Sequence, residues 1–183
     1  MGTYTAEEVK KMLIEGNKRY VAEMSASIDV SEEVLEAEVS GQDPYAIIIT
    51  CADSRIIPQA IFSTGIGELF VIRIAGNVID DVCLGSIEYA HEHLGTGVAV
   101  VLGHDHCGAV GAALHPHGGH GEGYIKCITD KILDAIGDEK DEDKACRLNV
   151  ENSCRVIREK LTGSDLTVMG AVYRLENGQV EFL

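Results

Sequence analysis

The chain has 183 residues, of which 45% are apolar and 25% are charged, as is usual for a folded globular protein. Its formal net charge of −15 argues against a nucleic-acid partner, because phosphate backbones are bound by Lys and Arg, and against adhesion to anionic membranes. No apolar run approaches the roughly 18 residues that a bilayer span needs, and the first residues lack the apolar segment of a signal peptide, so we expect a cytoplasmic location.

Two helices are predicted in the first 40 residues. Thr5 and Glu8 have the spacing of a capping box, and apolar residues then recur at helical spacing. Ser31 is expected to cap a second, acidic helix. Because the sequence shows no internal repeat and no domain linker, we expect one domain over residues 1–183, with residues 1–40 as an N-terminal helical arm.

Three short apolar runs, rich in β-branched residues, predict strands that are buried on both faces. They cover residues 45–50, 69–74 and 98–102. A helix that begins near Asp80 or Asp81 and ends before residue 95 lies between the second and third strands. Its expected core contacts are Ile87, Tyr89, Ala90 and Leu94. This alternation of strand and helix predicts an α/β fold with a mostly parallel central sheet flanked by helices.

The second half of the chain is predicted to add more helices and a C-terminal β-hairpin. The helices are expected at residues 107–114, 124–136 and 143–161, with a Gly/His loop at 115–123. Asn177 and Gly178 lie between two apolar runs, at residues 166–175 and 180–183, which is a strong hairpin signal.

Side chains that bind metals follow two of the predicted strands. Cys51 comes directly after the first strand, and His104 follows the third after one glycine, so both lie at the carboxyl edge of the sheet. Cys107, at the start of a helix three residues after His104, brings a second thiol to the same place. Two thiolates and one imidazole suit Zn²⁺ and leave one tetrahedral position free, as in a catalytic site.

The alternative is that Cys51 and Cys107 are buried core thiols and His104 is a hydrogen-bonded loop histidine. The remaining cysteines are not expected to form disulfides, because the chain is long and has no signal peptide, and we expect them to be buried. They are Cys83, Cys127, Cys146 and Cys154.

Asp53 and Arg55 follow Cys51 closely and extend the candidate site. Asp53 is near enough to occupy the fourth metal position, which would close the site, or to pair with Arg55, which would leave it open. The sequence alone equally allows Asp53 to be a turn or helix-capping residue and Arg55 a surface cation.

At these residues the sequence resembles the β-class carbonic anhydrases. The matching stretches occur in family order: 51–55 (CADSR), 67–73 (GELFVIR), 75–77 (AGN), 85–89 (GSIEY), 103–109 (GHDHCGA) and 170–183 (GAVYRLENGQVEFL). The resemblance is tight over residues 42–114 and looser elsewhere. It implies that Cys51, His104 and Cys107 bind Zn²⁺ and that Asp53 and Arg55 act as a catalytic pair.

The resemblance also implies a substrate pocket between subunits. Gln42 would reach a substrate oxygen from the partner subunit, and the Gly108 backbone N–H would be a second polar contact. Phe70, Ala75 and Tyr89 would line an apolar pocket, although plain core packing is an equal alternative for Phe70 and Tyr89. The family assembles as homodimers that often pair into homotetramers.

The implied activity is that of a carbonic anhydrase, a zinc lyase. It is the reversible hydration of CO₂ to bicarbonate and a proton by attack of zinc-bound hydroxide. A hydrolase of carbon disulfide or carbonyl sulfide would share the fold and the zinc site, and is one alternative. A non-catalytic zinc-dependent dimerisation or regulatory module is another, although Arg55 and Gln42 speak against it.

Two departures from the family pattern stand near the site. Ile74 lies where many relatives have Asn. His106 lies between two metal ligands, with His115, His117 and His120 following. These imidazoles could move protons, bind additional metal or have no role.

Overall fold

The computed structural model describes residues 4–24, 27–115 and 123–183. The described part contains a five-stranded sheet in the order β2-β1-β3-β4-β5, in which the first four strands are parallel and β5 is antiparallel to β4. The strands are β1 (Ala46–Thr50), β2 (Leu69–Arg73), β3 (Val98–His104), β4 (Thr167–Tyr173) and β5 (Val180–Phe182). The predicted α/β fold with a mostly parallel sheet and a C-terminal hairpin is confirmed.

Helices cover both faces of this sheet. They are α1 (Ala6–Val21), α2 (Glu32–Glu38), α3 (Pro58–Ile61), α4 (Asp81–Leu94), α5 (Gly108–Leu114), α6 (Lys126–Ile136) and α7 (Glu142–Lys160). The capping box of Thr5 and Glu8 is present, and the Asp80 carboxylate accepts a hydrogen bond at the start of α4. Ser31 precedes α2 as expected, but its side chain makes no capping hydrogen bond. Within the described ranges, every helix is too short or too polar to cross a membrane.

The alternation of side chains along β1 divides the core into two layers. Ile47 and Ile49 pack with α4 and α7 on one face, whereas Ile48 packs with α1 and α3 on the other. Each of these isoleucines is fully buried, which explains the uninterrupted apolar run of this strand. A third cluster, from α5, α6 and the start of α7, packs around Cys51 and Cys107 at the carboxyl end of the sheet.

Three expectations about single residues were wrong. Strand β3 extends through His104, because that residue still pairs with Tyr173 of β4. Tyr89 is 47% exposed instead of buried, since it points away from the helix face that carries Ile87 and Ala90 to the sheet. Cys127 is exposed on the first turn of α6, whereas the other three cysteines that we expected in the core are buried.

Glycines allow α7 to approach the sheet closely. A Cβ atom at Gly103 of β3 would overlap the Val150 side chain of α7, and one at Gly170 of β4 would lie 2.9 Å from the same valine. The end of β3 and the middle of β4 are therefore held directly against this helix.

Asn17 of α1 joins the two ends of the chain. Its buried amide nitrogen donates to the carbonyl oxygens of Ile61 and Gly178, and its side-chain oxygen accepts from the Val180 backbone N–H. One side chain thus links the first helix to α3 and to the C-terminal hairpin.

Candidate metal centre

Three side chains that can bind a metal meet at the carboxyl edge of the sheet. Cys51 follows β1, His104 is the last residue of β3, and Cys107 directly precedes α5. Because β1 and β3 are neighbouring parallel strands, the ligand atoms of all three lie within 4.8 Å of one another. The two sulfur atoms are 4.0 Å apart, and all three residues are buried.

The hydrogen bonds of His104 leave one ring nitrogen available to a metal. Nδ1 lies 2.7 Å from the Asp105 carbonyl oxygen, which fixes the proton on Nδ1. Nε2 is buried and has no hydrogen-bond partner among the described residues. A buried polar atom without a partner is costly, and a metal ion shared with the two sulfurs would satisfy it. These residues therefore fit a divalent metal that prefers sulfur and nitrogen ligands.

The electrostatics of the three side chains also favour a cation. Hydrogen bonding to Cys107 lowers the pKa of the Cys51 thiol, and the same contact raises the pKa of Cys107. Burial alone would lower the pKa of His104, but its contact with Cys51 raises that pKa. Cys51 is therefore the thiolate of the pair, whereas Cys107 keeps its proton until a metal ion displaces it, because the thiolate is the form that binds metals.

A three-residue 3₁₀ turn, Ala75–Asn77, covers the Cys51 sulfur. Gly76 has a φ of +68°, and its N–H donates to Cys51 Sγ at 3.2 Å. A Cβ atom at residue 76 would lie 2.9 Å from Ile132 Cδ1, so both the backbone conformation and the space favour glycine. The Gly76 carbonyl accepts from the buried Asn149 amide at 2.7 Å. The role of Asn149 carried no signal in the sequence.

Asp53 and Arg55 form a bidentate ion pair beside the metal ligands. Arg55 Nε donates to Asp53 Oδ1 at 2.9 Å, and Nη2 donates to Oδ2 at 2.8 Å. This contact holds the pKa of the Asp53 carboxyl well below its usual range. Asp53 Oδ2 lies 3.9 Å from His104 Nε2, so the carboxylate faces the ligand cluster while it pairs with Arg55. Arg55 Nη2 also donates to the His106 carbonyl at 3.1 Å.

Arg73, the last residue of β2, supports the segment after β1. Its Nε donates to the Cys51 carbonyl at 3.3 Å and its Nη2 to the Asp53 carbonyl at 2.6 Å. Arg73 lies in one of the stretches that match the family, but the resemblance implies no role for it. Its position next to Thr50 in the parallel register explains how it reaches these carbonyls.

The residues expected to line a substrate pocket lie in two groups. Ala75 and Gly108 lie beside the metal ligands, at the start of the 3₁₀ turn and of α5 respectively. Phe70 and Tyr89 contact each other, with ring centroids 6.2 Å apart, on the β2 side of the molecule. Gln42 is exposed in the segment before β1. Their roles in binding substrate stay predictions.

Only part of the predicted histidine cluster can be located. His106 and His115 are exposed, and His117 and His120 lie outside the described residues. Ile74, where many relatives have Asn, packs against the apolar clusters beside the 3₁₀ turn.

Comparisons with known proteins agree over most of the chain. A family model described as carbonic anhydrase matches residues 46–180. Carbonic anhydrase 2 of Mycobacterium tuberculosis is 36% identical over 185 residues, which cover 92% of this chain and 88% of that protein.

Solved structures of β-carbonic anhydrases share the fold. The Coccomyxa enzyme in complex with acetazolamide has a TM-score of 0.69 and 30% identity, over 98% of this chain and 87% of that chain. A tetrameric enzyme of Sordaria macrospora has a TM-score of 0.71 and 26% identity, over 96% and 97% of the two chains.

Proposed function

This chain belongs to the β-class carbonic anhydrase family, and we propose that it catalyses the zinc-dependent, reversible hydration of CO₂ to bicarbonate and a proton. The observation that carries the proposal is the buried cluster of Cys51, His104 and Cys107, whose free imidazole nitrogen lies next to an ionised Asp53. If these side chains only packed in the core and bound no metal, that nitrogen would have no hydrogen-bond partner among the described residues.

We assign zinc to the cluster because two thiolates and a neutral imidazole are its usual ligands, and three protein ligands leave a position for water. When bound there, zinc lowers the pKa of a water molecule and so supplies hydroxide near neutral pH. Asp105 supports this role of His104, because its carbonyl keeps the proton on Nδ1 and presents Nε2 to the ion.

Asp53 is proposed to orient the reacting water. Its carboxylate is ionised because Arg55 lowers its pKa, so at neutral pH it accepts hydrogen bonds and does not donate them. The two Arg55 donors fix the plane of the carboxylate, and Oδ2 faces the ligand cluster. In this arrangement Asp53 pairs with Arg55, which leaves the fourth metal position open for water, as catalysis requires.

A second copy of the chain is proposed to complete the substrate pocket. Phe70 of β2, an edge strand of the sheet, contacts Tyr89 of α4, and Val82 on the same helix as Tyr89 is 79% exposed. Pairing of two copies across this surface would bury these apolar side chains. We propose that it also brings Gln42 of one subunit toward the Gly108 N–H of the other, where both would bind bicarbonate oxygens.

The test is stopped-flow CO₂ hydration by zinc-loaded protein, with metal content measured on the same samples. We expect Asp53→Asn to lower kcat/KM by about 100-fold, within the range typical of a lost proton acceptor, while zinc content stays at one ion per chain. Asp134→Asn, on an exposed carboxylate of α6 that is not among the residues of the metal centre, is the matched control. Full activity of Asp53→Asn would refute the role of Asp53.

The same preparation separates the alternative functions. Release of sulfide from carbonyl sulfide or carbon disulfide, without CO₂ hydration, would identify a hydrolase on the same site. A zinc-loaded protein that hydrates none of these substrates over a broad pH range would identify a non-catalytic module.

A further inference from the structure

His106 has a left-handed backbone conformation, which is uncommon for residues other than glycine. Its φ of +48° lies in the left-handed region, where non-glycine residues are uncommon because Cβ crowds the backbone. In the described part of the chain, Glu23, Ser63 and Asn77 share this feature. His106 is the member of this group that lies between two metal ligands, His104 and Cys107, so its conformation bears directly on the site.

The left-handed turn accompanies a contact between two segments of the active site. The His106 carbonyl accepts a hydrogen bond from Arg55 Nη2 at 3.1 Å, and the same nitrogen donates to Asp53 Oδ2 at 2.8 Å. Arg55 and Asp53 belong to the segment after β1, whereas His106 belongs to the segment after β3. The contact therefore ties the Asp53 carboxylate to the backbone that carries the other ligands.

This contact matters because, among the described residues, Asp53 is the only other side-chain partner of Arg55. About half of that side chain is exposed, and its other side-chain hydrogen bonds in the described residues go to Asp53 alone. An exposed ion pair has many alternative geometries, and a third fixed partner selects one of them. The His106 imidazole, in contrast, is on an exposed residue and makes no hydrogen bond with the described residues.

We propose that His106 is a positioning residue that acts through its backbone. Its left-handed conformation directs its carbonyl at Arg55, and Arg55 thereby holds Asp53 in the geometry that orients the reacting water. The imidazole itself is dispensable. This inference rests on the proposed CO₂ hydration, and it assigns to His106 a function that its side chain does not reveal.

Substitutions that differ in their tolerance of positive φ test the proposal. Glycine and asparagine adopt this region readily, alanine less so, and β-branched valine least. We therefore expect kcat/KM of the zinc-loaded enzyme to follow the order His106→Gly and His106→Asn above His106→Ala, with His106→Val about tenfold below His106→Gly. If the valine variant does not fold, the alanine variant gives the same comparison with a smaller difference.

Glu23→Val is the matched control for strain alone. Glu23 is exposed, has a φ of +56° and lies after α1, outside the segments that form the site. We expect the midpoint of urea unfolding to fall in both valine variants, but kcat/KM to fall in His106→Val only. Equal activity of His106→Gly and His106→Val would overturn the proposal, as would a large loss in His106→Gly, since that result would assign the role to the imidazole.

A double-mutant cycle separates positioning from a general structural effect. If His106 acts through Arg55, His106→Val should have little further effect on kcat/KM in the Arg55→Ala background, whereas additive losses would refute the pathway. The Arg55 Nε–H resonance gives a readout that does not depend on activity. It should stay sharp in His106→Gly and broaden in His106→Val. Absence of CO₂ hydration by the wild-type enzyme would refute the proposed function but leave this spectroscopic test intact.

Discussion

Replacing Gly76 by alanine tests how the 3₁₀ turn supports the metal centre. Alanine at a φ of +68° costs about 1–2 kcal/mol, because Cβ crowds the following carbonyl. The new Cβ would also lie 2.9 Å from Ile132 Cδ1 and 3.0 Å from Ala109 Cβ, and crowding of this kind costs about 1–3 kcal/mol. We expect the free energy of unfolding to fall by about 3 kcal/mol in total.

The turn should relieve this crowding by moving away from the metal ligands. Because the Gly76 N–H donates to Cys51 Sγ, such a movement weakens that hydrogen bond and with it the stabilisation of the thiolate. The variant should therefore bind zinc more weakly as well as unfold more easily. Zinc affinity is measured by competition with a chromophoric chelator.

Gly95→Ala is the control for the cost of the backbone conformation. Gly95 has a φ of +73° at the end of α4, and a Cβ atom there would meet nothing within 4 Å. The free energy of unfolding of both variants is measured in urea, with and without chelator and at one protein concentration. The difference between the two variants gives the part of the destabilisation that comes from crowding. If Gly76→Ala is no less stable than Gly95→Ala and binds zinc like the wild type, the reasoning is wrong.

Two further substitutions address the support of the site. Arg73→Lys should lower kcat/KM about tenfold in stopped-flow assays, with little change in the thermal unfolding midpoint. The reason is that one ammonium group cannot bridge the Cys51 and Asp53 carbonyls as the guanidinium does. A Lys variant as active as the wild type would exclude this role. Gly103→Ala should lower the free energy of unfolding, measured in urea, by about 2 kcal/mol, because the new Cβ overlaps the Val150 side chain. Val150→Ala in the same chain should recover part of that loss. If the losses of the two single variants simply add in the double variant, the overlap is contradicted.

The fold was predictable because its signals are local. The apolar run of β1, the capping box at Thr5 and the hairpin signal at Asn177 and Gly178 each act within a few residues, and each has the expected structure. Tyr89 shows the limit of such signals. A helix with apolar residues on more than one side does not specify which side faces the sheet. What covers the other side depends on residues outside that helix.

The candidate ligands were predictable from strand order, but their support was not. Cys51 and His104 end neighbouring parallel strands, so the topology alone brings them together. Arg73 and Asn149 act on backbone carbonyls, which every residue carries, so no pairing of residue types reveals these contacts. The left-handed backbone of His106 was not predictable either, because histidine is enriched in this region but adopts it in only a small fraction of cases.

The three hydrogen bonds of Asn17 have a consequence for the order in which the protein matures. Two of them require Gly178 and Val180, which a ribosome adds about 160 residues after the helix that carries Asn17. Helix α1 can form early, but it cannot reach its final place until the hairpin has emerged. During synthesis the part of α1 that contacts the hairpin therefore stays uncovered, and chaperones can bind there until the hairpin is made.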